Sequence, residues 1–249
     1  MEYIKFLNTQ AEVSRICLGS WDFGGDNWMG SDENECINVV HKAVDSGINF
    51  VDTAPVYGDG RSETIIGKAI AGRREKVFLA TKCGLKKEGH AVKICLKADF
   101  LKEDIENSLK RLQTDYIDLY QLHWPDPNTS LNETFPQLKK FQKEGKIKYI
   151  GVSNFKLDLL KKVCKICDIV SLQNEYSIIK RGVEDEILSF CKQENINFLA
   201  YGSLAGGVLS GKYKSAPVFS PHDARSFFYG FSKEEKFKKI YPVIEILDS

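Results

Sequence analysis

From residue 16 to about residue 201, short β-rich apolar runs alternate with stretches whose apolar residues recur at helical spacing. This alternation limits the chain to very few folds. The strand-like runs are residues 16–19, 48–52, 77–82, 116–123, 147–152, 169–173 and 196–201. Between them the period changes: Leu101, Ile105, Leu109 and Leu112 make one helical stripe, and Phe135, Leu138 and Phe141 a second. Leu160, Val163 and Cys167 make a third, and Val183, Ile187, Phe190 and Cys191 a fourth. Apolar stripes of this kind cover one face of a sheet, and strand-helix repetition makes the strands parallel. Asp32 with Glu35 three residues on predicts a capping box, and Gly47 follows Ile37, Val40 and Val44 where a helix-ending glycine belongs.

A doubly wound sheet and a closed barrel both satisfy such a pattern. No G-x-G-x-x-G follows the first strand to open a dinucleotide-binding helix, which favours the barrel. The expected fold is therefore α/β, a TIM-type (β/α)8 barrel that is incomplete at about seven parallel strands. Residues 3–15, interrupted at Asn8-Thr9-Gln10, predict an N-terminal β-hairpin ahead of it. No linker divides the chain, so residues 1–249 read as one domain, with residues 215–232 a polar loop inside it.

Charge narrows the partners. With 35 basic and 34 acidic side chains, the chain lacks the basic surface that nucleic acid or anionic membrane requires. A small molecule is the expected partner. No apolar run approaches the roughly 18 residues of a membrane span, and Met1-Glu2-Tyr3-Ile4-Lys5 lacks the order of a signal peptide. Seven cysteines, an odd number scattered along the chain, suit a reducing compartment, so a cytoplasmic location is expected. Cys164 and Cys167 have C-x-x-C spacing but no second pair at zinc spacing, and no metal is expected. Cys83 reads as a packing residue or a mouth-side thiol. His41, His90 and His222 read as surface or loop residues, and Asp223 with Arg225 as a local ion pair.

Parallel barrels gather the carboxyl ends of their strands at one mouth. Asp52, Lys82 and His123 end the second, third and fourth strands, and Tyr57 lies in the loop after the second. Singly, each has an ordinary reading: a turn aspartate, a solvated lysine, a core tyrosine, a satisfied core histidine. Together they make a carbonyl-polarising set. A free phenol with a pKa near 10 is a poor acid at neutral pH. An ammonium about 4 Å away would stabilise the tyrosinate by up to roughly 4 kcal/mol at an effective dielectric near 20, about 3 pKa units. Asp52 would keep Lys82 charged, and His123 would hydrogen-bond the reacting oxygen. Without a metal cage or an activated nucleophile, hydride from an organic cofactor is the matching chemistry.

The strings that hold these residues resemble the aldo-keto reductase family. Residues 49–58 (NFVDTAPVYG), Ser62-Glu63, Ala80-Thr81-Lys82, residues 115–125 (DYIDLYQLHWP), Gly151-Val152-Ser153-Asn154-Phe155 and Gln173-Asn174-Glu175-Tyr176 match in order and spacing. The likeness spans residues 1 to about 225. It implies that Tyr57 is the general acid, Lys82 tunes it, Asp52 pairs with Lys82 and His123 orients the carbonyl. It also implies that Ser153, Asn154 and Gln173 hold the nicotinamide carboxamide and that Tyr201 stacks on the ring. Gly202, Ser203, Leu204, Ala205 and Gly206 would offer backbone amides to the pyrophosphate, the alternative being a simple turn. Trp21 and Trp124 would border the substrate pocket.

The resemblance stops short in one respect, because the family has eight βα units and a C-terminal segment, whereas seven strands are legible here. Ser232 and Glu235 suggest a capping box, and Phe237, Ile240, Ile244 and Leu247 carry a helical stripe almost to Ser249. The expectation is a shortened form of a longer protein, or a gap sealed by partner chains or by rearrangement. NADPH is the expected cofactor and NADH the alternative, since the 2′-phosphate site would lie in the missing segment. The expected activity is reduction of aldehydes or ketones to alcohols. The alternatives are a non-catalytic nicotinamide-binding regulatory subunit and an inactive product with poor cofactor binding. The expected partner is a small carbonyl compound, with oligomeric state left open.

Overall fold

The structure is a computed structural model that describes residues 1–25, 31–88, 91–221 and 223–247. His90 and His222 lie outside these residues. An antiparallel hairpin, β1 (Tyr3–Lys5) and β2 (Glu12–Ser14), opens the chain as expected. A parallel sheet follows, built from β3 (Cys17–Gly19), β4 (Phe50–Asp52), β5 (Phe78–Cys83), β8 (Ile117–Leu122), β9 (Ile147–Ser153), β10 (Ser171–Glu175) and β11 (Asn197–Tyr201). These seven strands pair in sequence order, β3-β4-β5-β8-β9-β10-β11. Helices α1 (Glu33–Asp45), α2 (Arg61–Ile70), α3 (Ala98–Leu112), α4 (Leu131–Lys143), α5 (Leu157–Cys164) and α6 (Ile187–Gln193) form the crossovers.

Local chemistry explains several of these boundaries. Asp32 caps α1 by accepting the Glu35 amide at 3.0 Å, and Gly47 leaves that helix at φ +91°, a region that disfavours a Cβ. Every residue of β5 and β8 is buried, as expected of central strands with side chains packed on both faces. On the outer face, Val51, Leu79, Tyr120, Ile150 and Leu172 meet the helices in the main core. The two strands at the ends of the order, β3 and β11, have no fully buried position.

The sheet curls. β4 and β10 stand four strands apart, about 19 Å across a flat sheet. Yet Gln173 Nε2 on β10 reaches Asp52 Oδ1 on β4 at 3.2 Å. Inside the curl, Phe50, Phe78, Ala80, Leu119 and Val170 pack against Phe6 and Val13 of the hairpin, which plugs the base. The plug bridges towards the far end of the sheet, where Asn197 Oδ1 accepts the Leu7 amide at 2.9 Å and Asn8 Nδ2 donates to Asn195 O at 3.1 Å.

Of the remaining features, some depart from the sequence reading and others meet it. A second hairpin, β6 (Leu85–Glu88) and β7 (Ala91–Ile94), follows β5. Its lysine-rich first strand carries no apolar alternation, so the sequence signal was missing. The polar stretch 215–232 contains a short helix, α7 (Ala224–Phe228), capped by Asp223, which also pairs with Arg225 at 2.5 Å as expected. Helix α8 (Glu234–Leu247) buries Phe237 and Ile244 against Ala205, Val208 and Leu209. His41 is not a surface residue but half-buried, its Nε2 2.9 Å from Ala69 O on α2. Cys83 packs in the outer core, as the packing reading expected, because it neighbours inward-facing Lys82 on an alternating strand.

Two buried carboxylates tie neighbouring elements together. Asp118 on β8 accepts Arg74 Nη2 at 2.6 Å, Lys148 Nζ at 2.8 Å and the Leu79 amide at 3.0 Å. Asp104 on α3 accepts the Gly84 amide at 3.0 Å. Burial pushes the Asp104 carboxyl up to about 7, with Glu63 and Glu103 adding to the shift while the Gly84 amide and Arg111 oppose it.

Asp118→Ala strands a mostly buried guanidinium, so a loss of about 3 kcal/mol in chemical denaturation is expected. For Asp104 the folded state holds a proton that the unfolded chain releases near pH 4, so its contribution to stability falls as pH rises from about 4 to about 7. Asp104→Asn retains an acceptor for Gly84 without the titration. Its melting temperature relative to the parent chain is expected to rise between pH 5 and pH 8; a pH-independent difference would contradict this.

Candidate active site

Parallel pairing brings the carboxyl ends of β4, β5 and β8 together, and with them Asp52, Lys82 and, one residue beyond β8, His123. Lys82 points inward and is 1% exposed. An ammonium buried that deeply must be paired. Its Nζ lies 2.5 Å from Asp52 Oδ2, 3.0 Å from Thr53 O and 3.2 Å from the Tyr57 hydroxyl. The other oxygen of Asp52 accepts Gln121 Nε2 at 3.1 Å as well as Gln173 Nε2. The Tyr57 and His123 rings meet edge to face, with centroids 5.8 Å apart.

Close backbone contact holds the loop that carries Tyr57. Gly58 sits at φ +62°, and a Cβ there would meet Gly24 O at 2.2 Å, so neither position has room for a side chain. Gly24 belongs to a tight helical turn, Trp21–Gly24, that follows β3. Arg61 ties the same turn down by donating to Phe23 O and, at 2.5 Å, to Ser31 O. Beneath the loop, the Ser62 hydroxyl donates to Ser20 O at 2.8 Å, and Ser20 Oγ donates to Asp52 O at 3.0 Å.

The electrostatics differ from the sequence estimate in one respect. Burial works against the Lys82 charge, but Asp52 and Tyr57 outweigh it and hold the ammonium protonated. For Tyr57, burial pushes the phenol above its ordinary value; the ammonium opposes this, and Asp52 adds to it. The expected net lowering is absent because burial of the phenol outweighs the ammonium's pull, with Asp52 adding to the rise. Burial, helped by the Lys82 charge, holds His123 well below the usual histidine range, so its ring is neutral near pH 7.

A cavity of about 1120 Å³ opens over this cluster. Ser153, Asn154, Gln173, Tyr201 and Gly202, five of the nine residues expected at the cofactor, line it. Asn154 adopts φ +63°, donates through Nδ2 to His123 O at 3.0 Å and accepts the Tyr201 hydroxyl at 2.8 Å. Ser153 Oγ donates to Gln173 O at 2.8 Å. The rest of the glycine-rich turn does not line the cavity. Leu204 is exposed, Ala205 packs with α8, and a Cβ on Gly206 would meet the Tyr229 ring at 2.7 Å.

Trp21 and Trp124 line the cavity, and Trp21 packs on Tyr57 at 6.2 Å and edge-on against Phe228 at 5.0 Å. Leu85, Val92 and Ile94 of the second hairpin and Phe228 and Tyr229 complete the wall, none of them singled out from sequence. Gln121 was missed too, although its alternation with Leu119 on β8 placed it inside the curl. Among the described residues no group of three or more His, Cys, Asp or Glu side chains is arranged to hold a metal, and no helix is long and apolar enough to cross a membrane.

With this geometry in place, comparisons identify its relatives. The aldo/keto reductase family model matches residues 15–246. Aldo-keto reductase YhdN of Bacillus subtilis is 41% identical over 250 residues, covering 100% of this chain and 75% of that protein. The NADH-specific methylglyoxal reductase of Escherichia coli is 34% identical over 256 residues, covering 96% of this chain and 78% of that protein. Among solved structures, a glycerol dehydrogenase from Gluconobacter oxydans superposes with a TM-score of 0.88 at 34% identity, over 98% of this chain and 76% of that one. A Klebsiella pneumoniae aldo-keto reductase in complex with NADPH superposes with a TM-score of 0.70 at 31% identity, over 84% of this chain and 69% of that one. The chain belongs to the aldo/keto reductase family.

Proposed function

We propose that the chain reduces aldehydes or ketones to alcohols with NADPH, using Tyr57 as proton donor. The observation that carries this reading is the buried contact between the Tyr57 hydroxyl and the Lys82 ammonium at the wall of a large cavity that His123 also lines. In this reading a carbonyl oxygen sits between the phenol and the imidazole. Neutral His123 donates a hydrogen bond that orients the oxygen. Tyr57 transfers its proton as negative charge develops there, and the Lys82 ammonium stabilises the tyrosinate left behind. Asp52 keeps Lys82 charged and in place through the 2.5 Å contact.

The residues present fit a nicotinamide cofactor. The N–H groups of its carboxamide need acceptors, and Ser153 and Gln173 offer a hydroxyl oxygen and an amide oxygen at the cavity wall. Asn154 serves by holding the Tyr201 hydroxyl, which sets the ring against which a nicotinamide would stack. When bound, the reduced cofactor supplies the hydride. The NADPH complex of the Klebsiella pneumoniae relative supports NADPH, and the NADH-specific Escherichia coli relative makes NADH the comparison to run.

Tyr57→Phe is expected to lower turnover of a simple test aldehyde by at least about a hundredfold while NADPH still quenches tryptophan fluorescence. Undiminished turnover would remove Tyr57 from the role, and tight cofactor binding without turnover in the parent chain would favour a regulatory protein instead. Because burial depresses His123 and raises Tyr57, kcat/KM for reduction is expected to stay level from about pH 6 to pH 8. An inflection near pH 6.5 assigned to His123 would contradict this.

A further inference from the structure

Behind the Tyr57–Lys82 pair, on the outer face of the sheet, lies a carboxylate that the proposed chemistry does not use. Glu63 on α2 is 0% exposed. One oxygen accepts the Thr81 hydroxyl at 2.6 Å, and the other accepts Arg111 Nε at 2.7 Å. Thr81 immediately precedes Lys82 on β5. Arg111, on α3, packs against the turn that follows Tyr57, where a Cβ on Gly60 would meet Arg111 Cδ at 2.5 Å. Gly67 on α2 is pressed as closely by the Arg111 carbonyl, at 2.5 Å from a Cβ.

A carboxylate without solvent is costly unless both oxygens are satisfied, so Glu63 holds its two donors at short range. One donor belongs to the strand that carries Lys82, and the other is wedged under the loop that carries Tyr57. We propose that Glu63, held between Arg111 and Thr81, is a positioning residue that sets the separation of the Tyr57 hydroxyl from the Lys82 ammonium. The proposal rests on the roles given above to Tyr57 and Lys82. Glu63 touches neither residue's functional atoms and acts through strand β5 and the Gly60 turn. A displacement of about 1 Å between groups that share a proton is enough to change a rate by up to about a hundredfold.

Thr81→Val removes the hydroxyl while keeping the shape, and Thr81→Ser restores the hydroxyl. The Thr81→Val chain is expected to lose roughly ten- to hundredfold in kcat with KM for aldehyde within about twofold, and Thr81→Ser is expected to recover most of the loss. Glu63→Gln, which keeps an oxygen for Thr81 but weakens the hold of Arg111, is expected to fall between them and covers the case in which Thr81→Val does not fold. A direct readout is the titration of the Tyr57 ring carbon by NMR of the 13Cζ-tyrosine-labelled chain, assigned by its loss in Tyr57→Phe. With the ammonium displaced, the midpoint in Thr81→Val or Glu63→Gln is expected to rise by about half a pH unit or more, while Thr81→Ser stays with the parent. A lower melting temperature with unchanged kcat and unchanged Tyr57 midpoint would show a purely structural tie and overturn the proposal. If Tyr57→Phe retains full turnover, the catalytic reading fails, and the midpoint alone then decides whether Glu63 governs the pair.

Discussion

The ammonium of Lys82 is buried inside a curl of strands, and such a charge survives only with a counter-charge in contact. Asp52 supplies it at 2.5 Å, and the surrounding structure reads as the means of keeping that contact. Gln121 and Gln173 occupy the second carboxylate oxygen, which fixes the side chain's plane and draws β8 and β10 towards β4. The backbone carbonyl of Thr53 takes a further Lys82 proton. Only then does the Tyr57 hydroxyl, at 3.2 Å, acquire a neighbour able to stabilise its anion.

Burial keeps the phenol protonated in the closed cluster. Desolvation of Tyr57 is the largest influence on its ionisation; the Lys82 ammonium in contact with it opposes the rise only in part, because Asp52 acts in the other direction. A proton donor is needed for carbonyl reduction, and a phenol that keeps its proton through neutral pH meets that need. In the proposed reduction, the ammonium's contribution would be largest after transfer, when the negative charge would sit on the tyrosine oxygen beside it. The neutral state of His123 follows from the same burial and the same cation.

Legibility in the sequence followed distance along the chain. The strand-helix alternation, the seven parallel strands, the plug hairpin and the capping of α1 by Asp32 are local patterns, and each is present in the structure. The convergence of Asp52, Tyr57, Lys82 and His123 was legible because strand ends in a parallel barrel meet at one mouth whatever the loops do. The second hairpin was not legible, since Lys86-Lys87-Glu88 carries charge where an alternating pattern would be sought.

The sequence by itself determined which groups are available and in what order the strands bring them: period and propensity act between near neighbours, and strand order makes the strand ends coincide. Only the tertiary structure decided how those groups are charged and held. Desolvation depends on everything packed around a site, and so do the reach of Gln173 across the curl, the two donors on Glu63 and the Tyr229 ring that backs Gly206. Each joins segments many residues apart, and no spacing along the chain encodes the distance between them.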